Sequence, residues 1–230
     1  MGRFWGYKQI GIFQSQEEID NYVDADGVKY QPNAHPGDFK FAKLGDDKGE
    51  INDEEDRTFI GDPNPDLIYG FNLGFEWKGF DFSAAFQGTL GNDIYNVDKG
   101  TLSVPGTQNA LADALTKAWR QEGDTGAKWP RITTNNDNNN WRVSSFMVED
   151  GSYLRLQNFQ VGYTLPMSLM AKLRYVKTAR LYFSAQNLFT ITGYSSLDPD
   201  LGTTSALNLG YDNVRYPSSR TFMFGVNLTF

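Results

Sequence analysis

Length and composition exclude several classes of protein at once. The chain has 230 residues, no cysteine and one histidine, so disulfides, thiolate metal sites and cysteine nucleophiles are excluded. A net charge of −7 without a basic patch argues against nucleic-acid binding, and 15% aromatic residues favour strands over helices. Since no run of 18 apolar residues and no apolar leader is present, neither a transmembrane helix nor a signal peptide is predicted.

The first third of the chain predicts little regular structure. Residues 4–13 and 38–43 are possible short strands. Much of the negative charge lies in the stretch "DDKGEINDEEDR", where seven acidic residues accompany two basic ones. Such a stretch is typical of a solvated loop.

The clearest local signal is a long hairpin. Apolar and polar residues alternate with period two through 67–77 and again through 80–90, with Lys78-Gly79 as a tight turn between them. We expect Phe71, Phe75, Phe82 and Phe86 on one face, and Glu76, Asp81 and Gln87 on the other. Arms of about 11 residues match a strand that crosses a bilayer, whereas globular strands average about 5 or 6.

The connection that follows, residues 91–150, contains one predicted helix. "TQNALADALTKAWRQEG" runs from a candidate N-cap at Thr107 to a stop at Gly123. An i, i+4, i+8 stripe runs along this helix: Leu111, Leu115 and Trp119. The stripe predicts either packing onto the same loop or a docking surface for a partner.

Three more alternating strands follow, at 153–165, 179–192 and 221–230. The apolar phase of the first slips near Asn158, which indicates a bulge, and Pro166 begins a predicted helical turn. Short connections (78–79, 166–177) alternate with long ones (91–150, 192–219). Because lipid supplies no hydrogen bonds, such strands must close into a barrel, and outer-membrane barrels have short turns at one end and long loops at the other. The sequence therefore predicts an all-β fold of the transmembrane antiparallel β-barrel type with long external loops, one of them carrying a short helix.

Five strings in order now identify a family. They are "FWGYKQIGIFQSQEEID", "RTFIGDPNPDLIYGFN", "FDFSAAFQGTLGNDIYN", "VEDGSYLRLQNFQVGYTLP" and "LYFSAQNLFTITGYSSLDPD". Over essentially its whole length the chain resembles the C-terminal part of SusC/RagA-like TonB-dependent outer-membrane transporters of Bacteroidetes.

The resemblance implies a role and a set of partners. Residues 1–230 would be the C-terminal section of the receptor barrel in the outer membrane, without the signal peptide, extension domain and plug. The whole protein would import glycans or peptides with a SusD-like surface lipoprotein. It would be driven by the TonB complex through the missing N-terminal part. The resemblance also implies that the terminal aromatic, Phe230, is the signal for barrel assembly.

One departure from the family concerns metal binding. The family pattern has a "DxNGDGxID"-type stretch, the form of a calcium loop, before "DRTxIG". Aligned on Ile51, this sequence places Leu44 at the first ligand position and Lys48 at the fifth, and a lysine among the ligands opposes a cation. We therefore expect residues 46–56 to bind no metal, and we expect no cofactor.

A second hypothesis comes from a different class of protein. A soluble or surface-bound β-domain could bind glycans through aromatic residues of its loops. Under either hypothesis the candidate substrate-binding residues are Trp119, Trp129, Trp141, Tyr194 and Tyr211. No enzyme is expected, because hydrolase, zincin and phosphate-loop motifs are absent and the close carboxylates Asp198 and Asp200 lack a supporting motif.

Overall fold

The computed structural model describes residues 2–46, 48–102, 109–172, 175–202, 208–213 and 215–230. The chain divides into two compact units. We call Met1–Asn64, Asp93–Glu149 and Leu201–Val214 the loop unit, and Pro65–Asn92, Asp150–Asp200 and Arg215–Phe230 the sheet unit.

Strands dominate the described residues, and the helices are all short. In chain order the elements are β1 (Phe4–Tyr7), β2 (Gln9–Ile12), α1 (Gln16–Asp20), β3 (Phe39–Phe41), β4 (Arg57–Gly61), β5 (Leu67–Trp77), β6 (Phe80–Leu90), β7 (Asp93–Asn96), α2 (Val97–Thr101), α3 (Ala112–Thr116), a 3-10 turn (Ser145–Met147), β8 (Val148–Asp150), β9 (Tyr153–Thr164), α4 (Met167–Met170), β10 (Thr178–Thr192), β11 (Tyr211–Asp212) and β12 (Thr221–Thr229). No helix in the described ranges is long and apolar enough to cross a membrane.

The sheet unit is one antiparallel sheet in the order β12-β10-β9-β6-β5. Strands β5 and β6 have the bounds that the alternation predicts, and their turn is Lys78-Gly79. Both turn residues have positive φ, 49° and 87°, the geometry of the two-residue turns that match the twist of a hairpin. Glycine takes that conformation without a steric penalty, which explains its place in the turn.

The predicted bulge is confirmed on β9. Between β6 and β9 the register shifts where Ala85 faces Asn158 but Phe86 faces Leu156, so β9 carries one extra residue. A second shift lies between Gln186 and Phe189 of β10. Because the shift in β9 re-phases its alternation, the apolar side chains before and after Asn158 stay on one face, and in β10 the apolar residues keep one phase across the shift. The turn after Pro166 also forms, as α4, with Pro166 as its cap.

The loop unit has its own small core of aromatic residues. Phe39 and Phe41 of β3 are fully buried, and the ring of Phe39 lies 4.7 Å from that of Phe146. Trp129 packs edge-on against the same ring at 4.9 Å. The connection 91–150, expected to be loop with one helix, therefore folds with the first 64 residues around these rings.

Amide side chains complete the hydrogen bonding of β3. The backbone carbonyl of Phe39 accepts from the side-chain amides of Gln31 and Asn138, each at 3.0 Å. Its N–H donates to Asn140 Oδ1 at 2.9 Å, and the N–H of Phe41 donates to Gln31 Oε1 at 2.8 Å. The three amides stand where a neighbouring strand would. Asn138 and Asn140, from the polar run "TTNNDNNN", are thus buried structural residues.

The prediction of a helix over 107–123 is wrong in extent. Thr107, the predicted N-cap, lies outside the described residues, and α3 spans only Ala112–Thr116. The Lys117 carbonyl accepts from the backbone N–H of Lys128 at 3.0 Å, and the N–H of Trp119 donates to the Trp129 carbonyl at 2.9 Å. Pairing with residues 128–129 therefore replaces the next helical turn.

The predicted apolar stripe is wrong as well. Leu115 is half exposed, whereas Ala114 and Ala118 are buried. Since the chain leaves the helix at Lys117, Trp119 has no helical position in line with Leu115. The spacing of the apolar residues is typical of an amphipathic helix, but the strand-like pairing with residues 128–129 takes the place of the helix beyond Lys117.

Candidate functional site

The two faces of the five-stranded sheet differ sharply in chemistry. One face is apolar in every strand, and the register aligns its residues in rows across the sheet. One such row consists of Phe75, Phe82, Val161, Phe183 and Phe224. The rings of Phe75 and Phe82 stack at 5.1 Å, and those of Phe71 and Phe86 at 4.7 Å, so the predicted face is confirmed. Phe224 is 84% exposed, a state that suits a hydrocarbon solvent and not water.

The other face carries mostly polar groups along the same strands. A row three residues away from the apolar one along each strand consists of Asn72, Ala85, Asn158, Gln186 and Thr221. Glu76 and Asp81 lie directly opposite each other on this polar face, as predicted. Together the two faces form a wall with lipid-compatible groups on one side and water-compatible groups on the other.

An ion pair crosses the polar face near the short turns. Arg180 Nε donates to Asp81 Oδ1 at 2.8 Å, and its NH2 group contacts the other carboxylate oxygen. The strand between them contributes Gly162, where an added Cβ would lie 2.5 Å from both Arg180 and Asp81. A larger residue there would therefore displace the ends of both charged side chains from their present positions. Beside the pair, a cavity of about 640 Å³ is lined by Glu76 and Thr164 as well.

A second charged cluster lies where the long connections leave the sheet. Arg155 of β9 is 3% exposed, and its Nε donates to Thr190 Oγ1 of β10 at 3.0 Å. Its NH2 group donates to Asp198, and its NH1 group lies 3.4 Å from Asp200. The two aspartates of "LDPD" thus pair with Arg155 in the folded chain. The spacing of Asp198 and Asp200 could have suggested a basic partner, but nothing in the sequence identified Arg155 as that partner.

The Asp198 carboxylate also collects backbone donors. It accepts from the N–H of Ser218 and from the N–H of Asp200, both at 2.9 Å. Burial opposes ionisation of this carboxyl, but these two bonds and Arg155 outweigh it and lower its pKa below the ordinary value. These partners therefore favour the ionised carboxylate of Asp198, which does not suit a role as a proton donor.

A cavity of about 320 Å³ lies beside this cluster. Arg155, Thr190 and Asn187 line it from the strands, and residues 197–199, 217–218 and 220 line it from the connection. Its volume is at the lower end of ligand pockets in proteins.

The structure separates the five predicted aromatic contacts. Trp129 and Tyr194 are buried, 4% and 6% exposed, so neither presents a ring face to a sugar in this conformation. Tyr211 is 41% exposed and stacks on Tyr95 at 5.6 Å. Trp119 donates to Gln14 Oε1 at 3.1 Å, and Trp141 packs beside Phe39. Substrate contact stays a prediction for all five residues.

The acidic loop is organised by one buried carboxylate. Asp56 is fully buried and accepts backbone N–H groups from Leu44 (2.8 Å), Gly45 (3.0 Å) and Asn52 (2.9 Å). Lys43 Nζ lies 2.9 Å from it. Burial opposes ionisation, yet these donors prevail and lower the pKa of Asp56. Within the described ranges no three acidic or histidine side chains group as a metal site, and the expectation that this loop binds no calcium stays a prediction.

Known proteins resemble this chain in sequence and in structure. No family model matches the chain. TonB-dependent receptor P3 of Formosa agariphila is 37% identical over 236 residues, which cover 100% of this chain and 22% of that protein. TonB-dependent receptor SusC of Bacteroides thetaiotaomicron is 26% identical over 187 residues, covering 77% of this chain and 16% of that protein. A chain of the solved "Structure of the RagAB peptide transporter" superposes with a TM-score of 0.70 at 25% identity, covering 99% of this chain and 23% of that chain.

The comparisons confirm the resemblance that the sequence predicts. The chain is related over its whole length to SusC/RagA-like TonB-dependent receptors, and it spans roughly a fifth to a quarter of the curated relatives that match it throughout. Its fold is part of an antiparallel transmembrane β-barrel, as predicted. The predicted location, the outer membrane, is confirmed on the same grounds. These relatives belong to a class of transport proteins and not of enzymes.

Proposed function

We propose that this chain is the C-terminal barrel section of an outer-membrane receptor that imports nutrients in a TonB-dependent manner. The observation that carries the proposal is the five-stranded sheet with one wholly apolar and one polar face. Strands of this length span a bilayer when tilted, and their polar face then lines a watery interior. The similarity to TonB-dependent receptors along the whole chain supports the same conclusion.

The proposal includes partners and a substrate class. A SusD-like surface lipoprotein would cover the outer mouth, and the TonB complex would act through parts of the protein outside this chain. The substrate would be an oligosaccharide or a peptide. The name SusC and the description of RagAB as a peptide transporter belong to relatives and support both substrate classes. Phe230, 69% exposed beyond the end of β12, would serve as the assembly signal. No catalytic role is proposed.

Uptake by whole cells tests this function. A strain lacking the gene should lose growth on one class of substrate, oligosaccharide or peptide, as the sole nutrient. Return of the full-length gene should restore growth, and deletion of TonB should abolish it again. Normal uptake of every oligosaccharide and peptide offered to the deletion strain would contradict the proposal.

The alternative, a soluble or surface-bound glycan-binding domain, makes a different prediction for the apolar face. In water, side chains such as Phe75 (59% exposed) and Phe224 would form a patch larger than soluble monomers tolerate. Fractionation of cells decides between the two. We expect the full-length protein in the outer-membrane fraction, and recovery of a monodisperse protein from the soluble fraction would favour the alternative.

A further inference from the structure

We propose that Arg155 is a positioning residue that anchors both limbs of the β10–β12 connection and thereby shapes a substrate-contact pocket at the long-loop end of the sheet. The first limb is residues 197–200 and the second is residues 217–220. This inference rests on the proposed import function, because the pocket would act on the imported molecule.

The guanidinium joins three parts of the chain. Arg155 Nε bonds the strand residue Thr190, and its two terminal nitrogens bond Asp198 of the first limb and Ser218 of the second, the latter at 3.3 Å. Asp198 in turn accepts the backbone N–H of Ser218 at 2.9 Å. Asp198 and Ser218, which are 20 residues apart in the sequence, are therefore held to each other and to the sheet around one ion pair.

Burial makes this anchor strong. The Arg155 side chain is 4% exposed and that of Asp198 is 11% exposed. Removing one member of a buried pair leaves the other charge without compensation, which is far more costly than loss of a surface pair. Arginine suits the site because its planar fork can donate to several acceptors at once, which a lysine ammonium on a flexible stem cannot reproduce.

The anchored limbs are walls of the 320 Å³ cavity. Leu197 and Pro199 of the first limb and Pro217 of the second line it together with Asn187 and Thr190 of β10. Arg220 also lines the cavity. Without Arg155 the second limb would keep, among the described residues, only its hydrogen bond from Asn187 Nδ2 to the Ser219 carbonyl, at 3.0 Å, as a link to the strand, so the walls of the pocket would loosen. The lining provides donors and acceptors for one end group of a polar substrate.

The first test measures how firmly the two limbs are held, as the rate of trypsin cleavage in the purified full-length receptor. Trypsin cleaves after Arg220, the last residue of the second limb, and after Lys78 in the distant short turn, which is an internal control. Arg155→Met should raise the rate of cleavage after Arg220 by about tenfold or more and leave the rate after Lys78 unchanged. Asp198→Asn should act in the same direction, and the double variant should be no worse than Arg155→Met alone.

The second test measures uptake in cells that carry these variants. We expect the half-saturating substrate concentration to rise with Arg155→Met, the maximal rate per folded receptor to stay constant, and Arg155→Lys to restore part of the affinity. Lys172→Met, which removes an exposed cation in the short connection, is the matched control and should behave as wild type. Heat-modifiable gel mobility reports folding. If Arg155→Met does not fold, the milder Asp198→Asn decides both tests.

Each outcome has one meaning. Unchanged cleavage after Arg220 in the anchor variants would overturn the anchor. Faster cleavage with unchanged half-saturation would overturn its role in shaping a substrate pocket. A wild-type receptor that imports nothing would overturn the proposed function and with it the pocket, while the cleavage rates would still decide whether Arg155 anchors the limbs.

Discussion

Leu73→Arg tests the assignment of the two faces most sharply. Leu73 lies opposite Ala84 on the apolar face, six residues from the start of β5 and four from its end. With a rise of about 3.4 Å per residue and a tilt of about 45°, it lies about 14 Å and about 10 Å in depth from the two strand ends. Since the apolar band of such barrels is about 25 Å tall, Leu73 lies near the midplane.

The neighbouring residue supplies a matched control. Asn72 lies opposite Ala85 on the polar face at nearly the same depth. An arginine on the lipid face near the midplane costs about 2–4 kcal/mol, which lowers the folding equilibrium constant roughly 30- to 700-fold. Asn72→Arg places the same charge toward water and should cost less than about 1 kcal/mol.

The assay is urea unfolding of the full-length barrel in lipid vesicles, followed by tryptophan fluorescence and heat-modifiable mobility. Leu73→Arg should unfold at clearly lower urea than wild type, and Asn72→Arg should not. Equal destabilisation by the two variants, or harmless insertion of arginine at residue 73, would refute the assignment of faces.

Four further predictions concern the acidic loop and the Asp81–Arg180 pair. Asp56→Asn should destabilise the folded receptor by about 3 kcal/mol in the same assay, because the buried lysine partner and the loop N–H groups lose their carboxylate. Folding lowers the pKa of Asp56, so its carboxylate stabilises the folded loop fully above about pH 3.9. This stabilisation is lost as the pH falls from there toward the pKa of Asp56 in the folded protein. The rate of amide hydrogen exchange in the loop should therefore rise in that pH range and not near pH 6. Gly162→Val should disrupt the Asp81–Arg180 pair and slow barrel folding on heat-modifiable gels, and wild-type folding would contradict this. Calcium titration should give the same heat for wild type and Asp46→Asn, whereas a micromolar site lost in the variant would show that the acidic loop binds calcium.

Prediction from sequence succeeded where local chemistry decides structure. The hairpin of β5 and β6 has its predicted bounds because period-two alternation and a Lys-Gly turn leave one register that keeps all apolar residues on one face. The bulge at Asn158 was visible as a slip in the same alternation. The prediction of a helix over 107–123 failed because residues 128–129, beyond the end of the predicted helix, hydrogen-bond to the Lys117 carbonyl.

The candidate site was less predictable for a related reason. The sequence indicated aromatic loop residues as contacts, yet burial of Trp129 and Tyr194 depends on which parts of the chain pack over them. Asn138 and Asn140 had the composition of a solvated loop and instead satisfy the backbone of β3. Local composition does not reveal which buried donor an amide will meet.

The amino-acid sequence by itself determined the strand periodicity, the apolar and polar faces, the short turns and the resemblance to TonB-dependent receptors. Each of these follows from neighbours in the chain or from ordered motifs along it. Only the tertiary structure decided that Arg155, Asp198 and Ser218 meet, or that Asp56 holds the acidic loop. A buried charge is tolerated only where its partners converge, and that convergence is a property of the packed chain, not of any one segment.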